Sequence, residues 1–229
     1  MQLGLLIIIA NKFFGLKAFI FDLDGIIVDT AKYHFKSWKI ISRNFGFELS
    51  KTQNELLKGV SREKSLDRIL SWGGISIDRF EKKKYLEKKN ELYKGFISNL
   101  SQMDILPGVN KLLDFAAIKD IPIALGSASK NAHQILKKLG IRNKFKVVID
   151  GNLTSKSKPH PEVFLKGAKM LGVNPKEVIV FEDSIAGVKA ANRAKMVSVA
   201  ICTCGKIENA KYNFNSLDDI PLEFFEKMI

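Results

Sequence analysis

The hydrophobic positions of this chain follow two patterns, short apolar runs and longer stripes at helical spacing. Apolar runs at 16–21, 121–126, 145–149, 178–181 and 197–201 are typical of strands buried on both faces of a parallel sheet. Most segments between these runs carry apolar residues three and four positions apart, which predicts amphipathic helices. Regular alternation of strands and helices predicts an α/β fold with a doubly wound parallel sheet.

The region between residues 33 and 102 contains no convincing strand and is predicted to be helical. A helix is expected to begin at Lys32, and Ser61 is a plausible N-cap for a later one. The glycine pair at 73–74 breaks the pattern, and a long Lys-rich helix is predicted over 79–97. A helical insert of this length is comparable with a small domain.

The first 14 residues form an apolar extension that begins MQLGLLIIIA. This run is too short to span a bilayer, which takes about 20 residues, and it lacks the basic stretch that opens a signal peptide. We expect an N-terminal extension that either packs on the core or is partly disordered.

The composition fits a soluble globular protein with an excess of basic residues. Of the 229 residues, 46% are hydrophobic, the mean hydropathy is −0.01 and the formal net charge is +13. A nucleic-acid or anionic-membrane partner is one interpretation of that charge. The other is that lysines coat the solvent faces of helices, which the scattered lysines and the lack of an Arg-rich stripe favour. We therefore expect no nucleic-acid partner and no membrane partner. We also expect a monomer, although no sequence feature determines the oligomeric state.

The two cysteines, Cys202 and Cys204, are separated by one residue. Two ligands do not make a tetrahedral zinc site, and the spacing is not that of a CxxC redox motif. Ordinary thiols are expected at both positions. Without a framework of disulfides, the protein is expected to be cytoplasmic.

The most informative feature is an aspartate pair at the end of the first apolar run. Asp22 and Asp24 are two residues apart, so that both side chains point to the same side of an extended chain. Gly25 then allows a sharp exit. The carboxyl ends of strands in an α/β sheet form the usual ligand crevice, and a carboxylate nucleophile there is a known route to phosphoryl transfer.

Three further polar groups follow predicted strands. Ser127 follows one strand, Lys158 stands at a helix start after the next, and Glu182 and Asp183 follow a third. If these strands are neighbours, the groups converge on the crevice. Each group alone has a plainer explanation, because DxDG is also a turn and Glu-Asp-Ser and Ser-Ala-Ser-Lys also cap helices. Together, these polar groups at the ends of several predicted strands favour a functional site over unrelated turns and helix caps.

These residue types suit phosphoryl transfer. Mg²⁺ prefers oxygen ligands, which Asp22, Glu182, Asp183 and a backbone carbonyl near Asp24 can supply. Ser127 and Lys158 can hold the equatorial oxygens of a transferring phosphate. Asp22 is the expected nucleophile, and Asp24 is the expected general acid and base.

In these segments the chain resembles the haloacid dehalogenase-like phosphotransferases. The matching motifs are FDLDG (21–25), ALGSAS (124–129), KPHPEVF (158–164) and VFEDSIAGVKAA (180–191). The resemblance implies a Rossmann-like core with an inserted helical cap domain, a catalytic Asp22–Asp24 pair and a magnesium cofactor. It places the core at 1–29 and 102–229, with 1–14 as an extension, and the cap at 30–101.

Within that family, the segments 29–39, 58–70, 88–93 and 126–132 resemble the bacterial β-phosphoglucomutases. The resemblance implies that His34 gates Asp24 at a hinge, with Thr30 and Trp38 nearby. It further implies that a sugar phosphate is bound by a second group of residues, comprising Trp38, Gly59, Arg62, Ser65, Lys89, Ser129, Lys130 and Asn131. The implied activity is the interconversion of β-D-glucose 1-phosphate and glucose 6-phosphate, and a sugar-phosphate phosphatase is the alternative.

Plainer interpretations of four of these residues stay open on sequence alone. His34 fits a packed or surface histidine, Arg62 a solvent-facing charge, Lys89 a solvated helix face in a lysine run, and Trp38 the core of the insert. The segment at 150–154 departs in composition from the family pattern. Its loop geometry is therefore not predicted.

Overall fold

The computed structural model of the protein describes residues 15–203 and 205–229. They form one six-stranded sheet in the order β3-β2-β1-β4-β5-β6, in which every neighbouring pair is parallel. The prediction of a doubly wound parallel sheet is confirmed. The strands are β1 (Ala18–Phe21), β2 (Ile123–Gly126), β3 (Val147–Ile149), β4 (Val178–Glu182), β5 (Val197–Ile201) and β6 (Tyr212–Phe214).

Five α-helices lie between β1 and β2, and we call the first four of them the helical insert. They are α1 (Ala31–Arg43), α2 (Lys51–Glu55), α3 (Arg62–Gly73) and α4 (Arg79–Ile97). Ser61 caps α3 as predicted, because its side chain accepts a hydrogen bond from the backbone N–H of Lys64. The later helices are α5 (Val109–Ile118), α6 (Ala132–Lys138), α7 (Glu162–Leu171), α8 (Ile185–Arg193) and α9 (Glu223–Glu226).

The chain direction across the sheet reverses at β1. From β1 the chain moves outward to β2 and β3, and it then returns to the other side of β1 as β4. Phe21 at the end of β1 pairs with Leu125 of β2 and with Phe181 of β4, so the three strands end at nearly the same level. This switch point is where open α/β sheets bind their ligands.

Apolar side chains cover both faces of the sheet. On one face, Phe19 and Phe21 of β1 pack against Phe181 and Phe225. On the other face, Ile20 packs in a cluster with α7 and α8. Burial on both faces explains why these strands are continuous apolar runs.

The helical insert has a hydrophobic cluster of its own, and α4 joins it to the sheet. Trp38, Ile41, Leu66 and Ile69 are buried in the insert's cluster. Tyr93 and Ile97, at the C-terminal end of α4, instead belong to the cluster on the sheet. The helix α4 is therefore the element that positions the insert relative to the strand ends.

Three sequence predictions differ from the structure or fall outside it. The run at 197–201 was expected to be the last strand, but β6 follows it at the sheet edge, where its half-buried residues form no apolar run. Cys202 is disulfide-bonded rather than a free thiol, so that prediction is wrong, and Cys204 lies outside the described residues. The extension at 1–14 also lies outside them. Among the described helices, none is long and apolar enough to cross a membrane.

Candidate active site

The polar residues that follow the central strands converge at the switch point of the sheet. Asp22 follows β1, Ser127 follows β2, and Glu182 ends β4. A cavity of about 240 Å³ lies between these strand ends and the helical insert. The order β2-β1-β4 makes the three strands neighbours, which is the condition on which the sequence prediction depended.

Lys158 links two carboxylates at the floor of the cavity. Its ammonium group lies 2.5 Å from Asp22 Oδ1 and also donates to Glu182 Oε1, and all three side chains are buried. The other oxygen of Asp22 accepts the backbone N–H of Asp24 at 3.1 Å. Asp22 is thus held at both oxygens, and one end of its carboxylate faces a fixed positive charge.

Glu182 is bound at its second oxygen by the start of α8. Oε2 accepts the backbone N–H groups of Asp183 and Ser184, each at 3.0 Å, and the hydroxyl of Ser184 at 2.9 Å. A Cβ on Gly187 would overlap the Glu182 carboxyl group, which explains the glycine at that position. The bonds from the helix N-terminus stabilise the buried negative charge.

Asp22, Glu182 and Asp183 form an acidic cluster. Oxygen atoms of the three carboxylates lie within 4.8 Å of one another. Burial, and then the Glu182 carboxylate, raises the pKa of Asp183 from 3.8 to about 8. Burial also raises the pKa of Asp22, although Lys158 opposes this. A buried set of oxygen donors with an excess of negative charge fits a divalent cation.

The raised pKa of Asp183 predicts how the metal-free protein depends on pH. The folded state retains a proton that the unfolded state releases, so this contribution to stability is complete below pH 3.8 and is lost as the pH rises through about 8. We expect the melting temperature in EDTA to be lower at pH 9 than at pH 6, and added Mg²⁺ to raise it more at pH 9. An Asp183→Asn variant is the matched control, and an equal pH dependence in that variant would contradict the prediction.

Asp24 faces a different set of groups from Asp22. Its Oδ1 accepts the hydroxyl of Thr30 and lies 3.6 Å from Nε2 of His34. Burial alone would raise the pKa of Asp24, but His34 and the Thr30 hydrogen bond outweigh it and the pKa is lowered. Burial and the neighbouring Lys89 lower the pKa of His34. Two aspartates in distinct environments are suited to distinct roles.

Lys89 connects the insert to this part of the site. Its ammonium nitrogen lies 2.8 Å from Nδ1 of His34 and above the rings of Trp38 and Tyr93, at 5.1 and 4.7 Å from their centroids. Only 1% of the residue is exposed. Lys89 is therefore not part of a solvated helix face, although Lys83, Lys84 and Lys88 of the same lysine run are exposed.

A second group of hydrogen-bond donors lies across the cavity. Arg62 of α3 donates to Oδ1 of Asn90 at 2.8 Å, and Asn131 Nδ2 donates to the same oxygen at 3.1 Å. The hydroxyl of Ser129 accepts the backbone N–H of Asn131 at 3.3 Å. Arginine and amide donors that face a cavity fit a phosphate group.

The loop before α3 reaches the acidic cluster. Lys58 Nζ lies 3.7 Å from Asp183 Oδ2 and 2.9 Å from a carboxylate oxygen of Glu55. Gly59 has a positive φ of 70°, and a Cβ there would lie 2.7 Å from the hydroxyl of Ser184. A side chain at position 59 would therefore separate the insert from the start of α8.

The predicted site residues all lie at this one place. Thr30 and Glu182 contact residues that line the cavity. The other predicted residues line it themselves, namely Asp22, Asp24, His34, Trp38, Gly59, Arg62, Ser65, Lys89, Ser127, Ser129, Lys130, Asn131, Lys158 and Asp183. Trp38 is at the same time buried in the insert's own cluster, as its plainer interpretation predicts, and its role at the site stays a prediction.

Sequence reasoning singled out neither Lys58, Asn90 nor Tyr93. The ring of Tyr93 lies 4.1 Å from that of His34, and its hydroxyl is buried. Tyr93 is four residues after Lys89, a spacing that places both side chains on one face of α4. That spacing could have indicated Tyr93 from the sequence. No comparable sequence pattern indicates Lys58 or Asn90.

Comparisons with known proteins agree with this geometry. Residues 19–201 match the sequence profile of the family described as haloacid dehalogenase-like hydrolase. The β-phosphoglucomutase of Bacillus subtilis is 38% identical over 214 residues, which are 93% of this chain and 95% of that protein. A phosphorylated carbohydrates phosphatase of Thermotoga maritima is 30% identical over 183 residues, 78% of this chain and 82% of that protein. The crystal structure of a β-phosphoglucomutase from Clostridium difficile superposes on this chain with a TM-score of 0.89 and 41% sequence identity. The superposition covers 93% of this chain and 96% of that protein's chain.

Proposed function

The chain belongs to the haloacid dehalogenase-like hydrolase family, and from that premise we propose that it interconverts β-D-glucose 1-phosphate and glucose 6-phosphate. Similarity to two β-phosphoglucomutases over 93% of the chain supports this substrate pair. The observation that carries the proposal is that two groups of polar and basic side chains suited to bind phosphate face one cavity. Ser127 and Lys158 lie beside Asp22, and Arg62 and Asn131 lie across from them.

In the proposed reaction Asp22 carries the phosphoryl group. The phosphorylated aspartate transfers it to the 6-hydroxyl of β-glucose 1-phosphate, breaking the bond from phosphorus to the Asp22 oxygen, and Asp24 accepts the hydroxyl proton. The bisphosphate that results turns round in the cavity. Asp22 then attacks the phosphorus at position 1, and Asp24 returns its proton to the departing sugar oxygen. Glucose 6-phosphate leaves, and the phosphorylated aspartate is regenerated.

The same donors serve both halves of the reaction. Lys158 and Ser127 hold the transferring group, and Arg62 and Asn131 hold the phosphate that does not react. A divalent cation, which we propose to be Mg²⁺, would be held by Asp22, Glu182, Asp183 and a backbone carbonyl near Asp24, and it would offset negative charge on the transferring group. We assign to the insert the role of a cap, which excludes water so that a sugar hydroxyl is the acceptor.

The alternative function is a sugar-phosphate phosphatase, which the similarity to the Thermotoga maritima phosphatase favours. The two reactions share every step up to the choice of acceptor for the phosphoryl group. The fate of phosphate therefore distinguishes them.

The test is to supply Mg²⁺, β-glucose 1-phosphate and a trace of glucose 1,6-bisphosphate, and to measure glucose 6-phosphate and free phosphate in parallel. Rapid formation of glucose 6-phosphate with little free phosphate is the expected result. Dominant release of phosphate would make the protein a phosphatase. No reaction of either kind would contradict both functions for this sugar.

The effect of Arg62→Ala separates the two donor groups. Loss of a charged donor to a phosphate is expected to lower kcat/KM for the mutase reaction by about 10- to 100-fold. Hydrolysis of p-nitrophenyl phosphate, which has no second phosphate, is expected to change by less than about twofold. Arg79→Ala, an exposed arginine at the start of α4, is the matched control. Equal losses in both reactions of Arg62→Ala would count against the mutase.

A further inference from the structure

Asn90 connects two residues of the second donor group but does not itself line the cavity. Its Oδ1 accepts hydrogen bonds from Arg62 at 2.8 Å and from Asn131 at 3.1 Å. Arg62 and Asn131 both line the cavity, whereas Asn90 is absent from the lining residues. We propose that Asn90 is a positioning residue that fixes Arg62 and Asn131 as a pair of donors for the phosphate that does not react. This inference rests on the proposed function.

The donor chemistry determines how the Asn90 amide is oriented. An arginine side chain can only donate, so the Asn90 atom that faces Arg62 must be the oxygen. Asn131 then has to present its NH₂ group to the same oxygen. The bond fixes Asn131 with its donor side toward Asn90 and Arg62, and the remaining N–H groups of both residues stay available for a phosphate.

The two hydrogen bonds join different parts of the fold. Arg62 in α3 and Asn90 in α4 both belong to the helical insert, so the bond between them lies within the insert. Asn131 lies directly before α6, in the core, so its bond to Asn90 crosses from core to insert. Asn90 Oδ1 can therefore accept hydrogen bonds from both Arg62 and Asn131 only when the insert lies against the strand ends.

The hydrogen bond from Arg62 to Asn90 favours phosphate binding because it restricts the conformations of the Arg62 side chain. A free arginine side chain loses considerable conformational freedom when it binds a phosphate. A hydrogen bond that holds the guanidinium near the bound geometry reduces that loss and strengthens binding. Asn131 is restrained in the same way, with a further bond from its backbone N–H to the Ser129 hydroxyl.

The deciding measurement is the affinity for glucose 6-phosphate, measured by calorimetry with Mg²⁺ present. Asn90→Ala is expected to weaken binding about tenfold or more. Hydrolysis of p-nitrophenyl phosphate is expected to stay within about twofold of the unaltered protein. The matched control is Asn99→Ala, an exposed asparagine just beyond the end of α4. Affinity within twofold of the unaltered protein in Asn90→Ala would overturn the inference while leaving the proposed function intact.

A double substitution shows whether Asn90 acts through Arg62. If it does, the loss of affinity for glucose 6-phosphate in the Arg62→Ala Asn90→Ala protein should be much smaller than the product of the two single losses, because removing Asn90 has little further effect once Arg62 is gone. Independent, multiplying effects would overturn the inference. If the unaltered protein neither binds glucose 6-phosphate nor produces it, the proposed function fails and the inference fails with it.

Asn90→Asp separates positioning from a purely structural role and serves also if Asn90→Ala does not fold. The carboxylate keeps both acceptor bonds, so the melting temperature should be close to that of the unaltered protein. Its negative charge holds Arg62 more strongly and repels the phosphate, and affinity should fall at least as far as in Asn90→Ala. Unchanged affinity in Asn90→Asp would show that the contact serves only the packing of α4.

Discussion

Replacing Asp22 with asparagine should lower mutase turnover by on the order of 10⁴- to 10⁶-fold, as the removal of a catalytic nucleophile does in other enzymes. An amide oxygen is a far weaker nucleophile than a carboxylate, so no phosphorylated aspartate should form. The change is nearly isosteric, and Lys158 keeps its bond to Glu182. The fold should therefore be retained while the chemistry is lost.

Two measurements check this result. The coupled assay for glucose 6-phosphate gives turnover, and intact-protein mass spectrometry after incubation with glucose 1,6-bisphosphate gives the mass of one added phosphoryl group. Asp29→Asn is the matched control, because Asp29 is a half-exposed aspartate in the same segment, paired with Lys32 at 3.2 Å. An Asp22→Asn protein that still turns over would show that the proposed nucleophile is wrong.

The part of the site that follows the strands could be predicted from the sequence for a physical reason. Strands buried on both faces form continuous apolar runs, so their carboxyl ends are visible where a run stops at a polar residue. Asp22, Ser127 and Glu182 each stand at such a point. Their convergence then required only that β1, β2 and β4 be neighbours, as they are.

The insert's contribution could not be predicted in the same way. Lys89 stands in a run of lysines, and nothing in the local sequence separates this buried lysine from its exposed neighbours. Its burial depends on how α4 packs against Trp38 and His34, which is a long-range property of the fold. Asn90 is a further example, since its two partners are 28 and 41 residues away in sequence. Only the family resemblance pointed to this side of the cavity.

The charge balance at the cavity floor depends on one lysine. Asp22, Glu182 and Asp183 bring three carboxylates together, and Lys158 is the buried cation that contacts two of them. Among the described residues, Lys58 is a second cation in contact with the cluster, but it is one-quarter exposed and shares its charge with Glu55. Burial opposes the charge on Lys158, yet Asp22 and Glu182 outweigh it and raise its pKa, so Lys158 is charged at neutral pH.

Replacing Lys158 with methionine should therefore affect both stability and activity. In the metal-free protein, removing one partner of a buried ion pair is expected to lower the free energy of unfolding by about 3–5 kcal/mol. Mutase turnover should fall by about 10²- to 10³-fold, since a charge that stabilises the transferring group is gone. Mg²⁺ should recover part of the stability, because it supplies positive charge to the same carboxylates.

The pH dependence of that loss identifies its cause. Lys158 lowers the pKa of Asp22, so without it that pKa should rise further; the folded variant then keeps a proton on Asp22 to higher pH, and its stability declines as the pH rises. Urea denaturation in EDTA should accordingly show a larger loss at pH 8 than at pH 5. Lys166→Met is the matched control, because that half-exposed lysine pairs with Glu162 on the helix surface and should cost less than about 1 kcal/mol. Two outcomes would contradict the prediction: a loss of unfolding free energy in Lys158→Met as small as in the control, or a loss that is equal at both pH values. Either would mean that the acidic cluster does not depend on Lys158 for its charge balance.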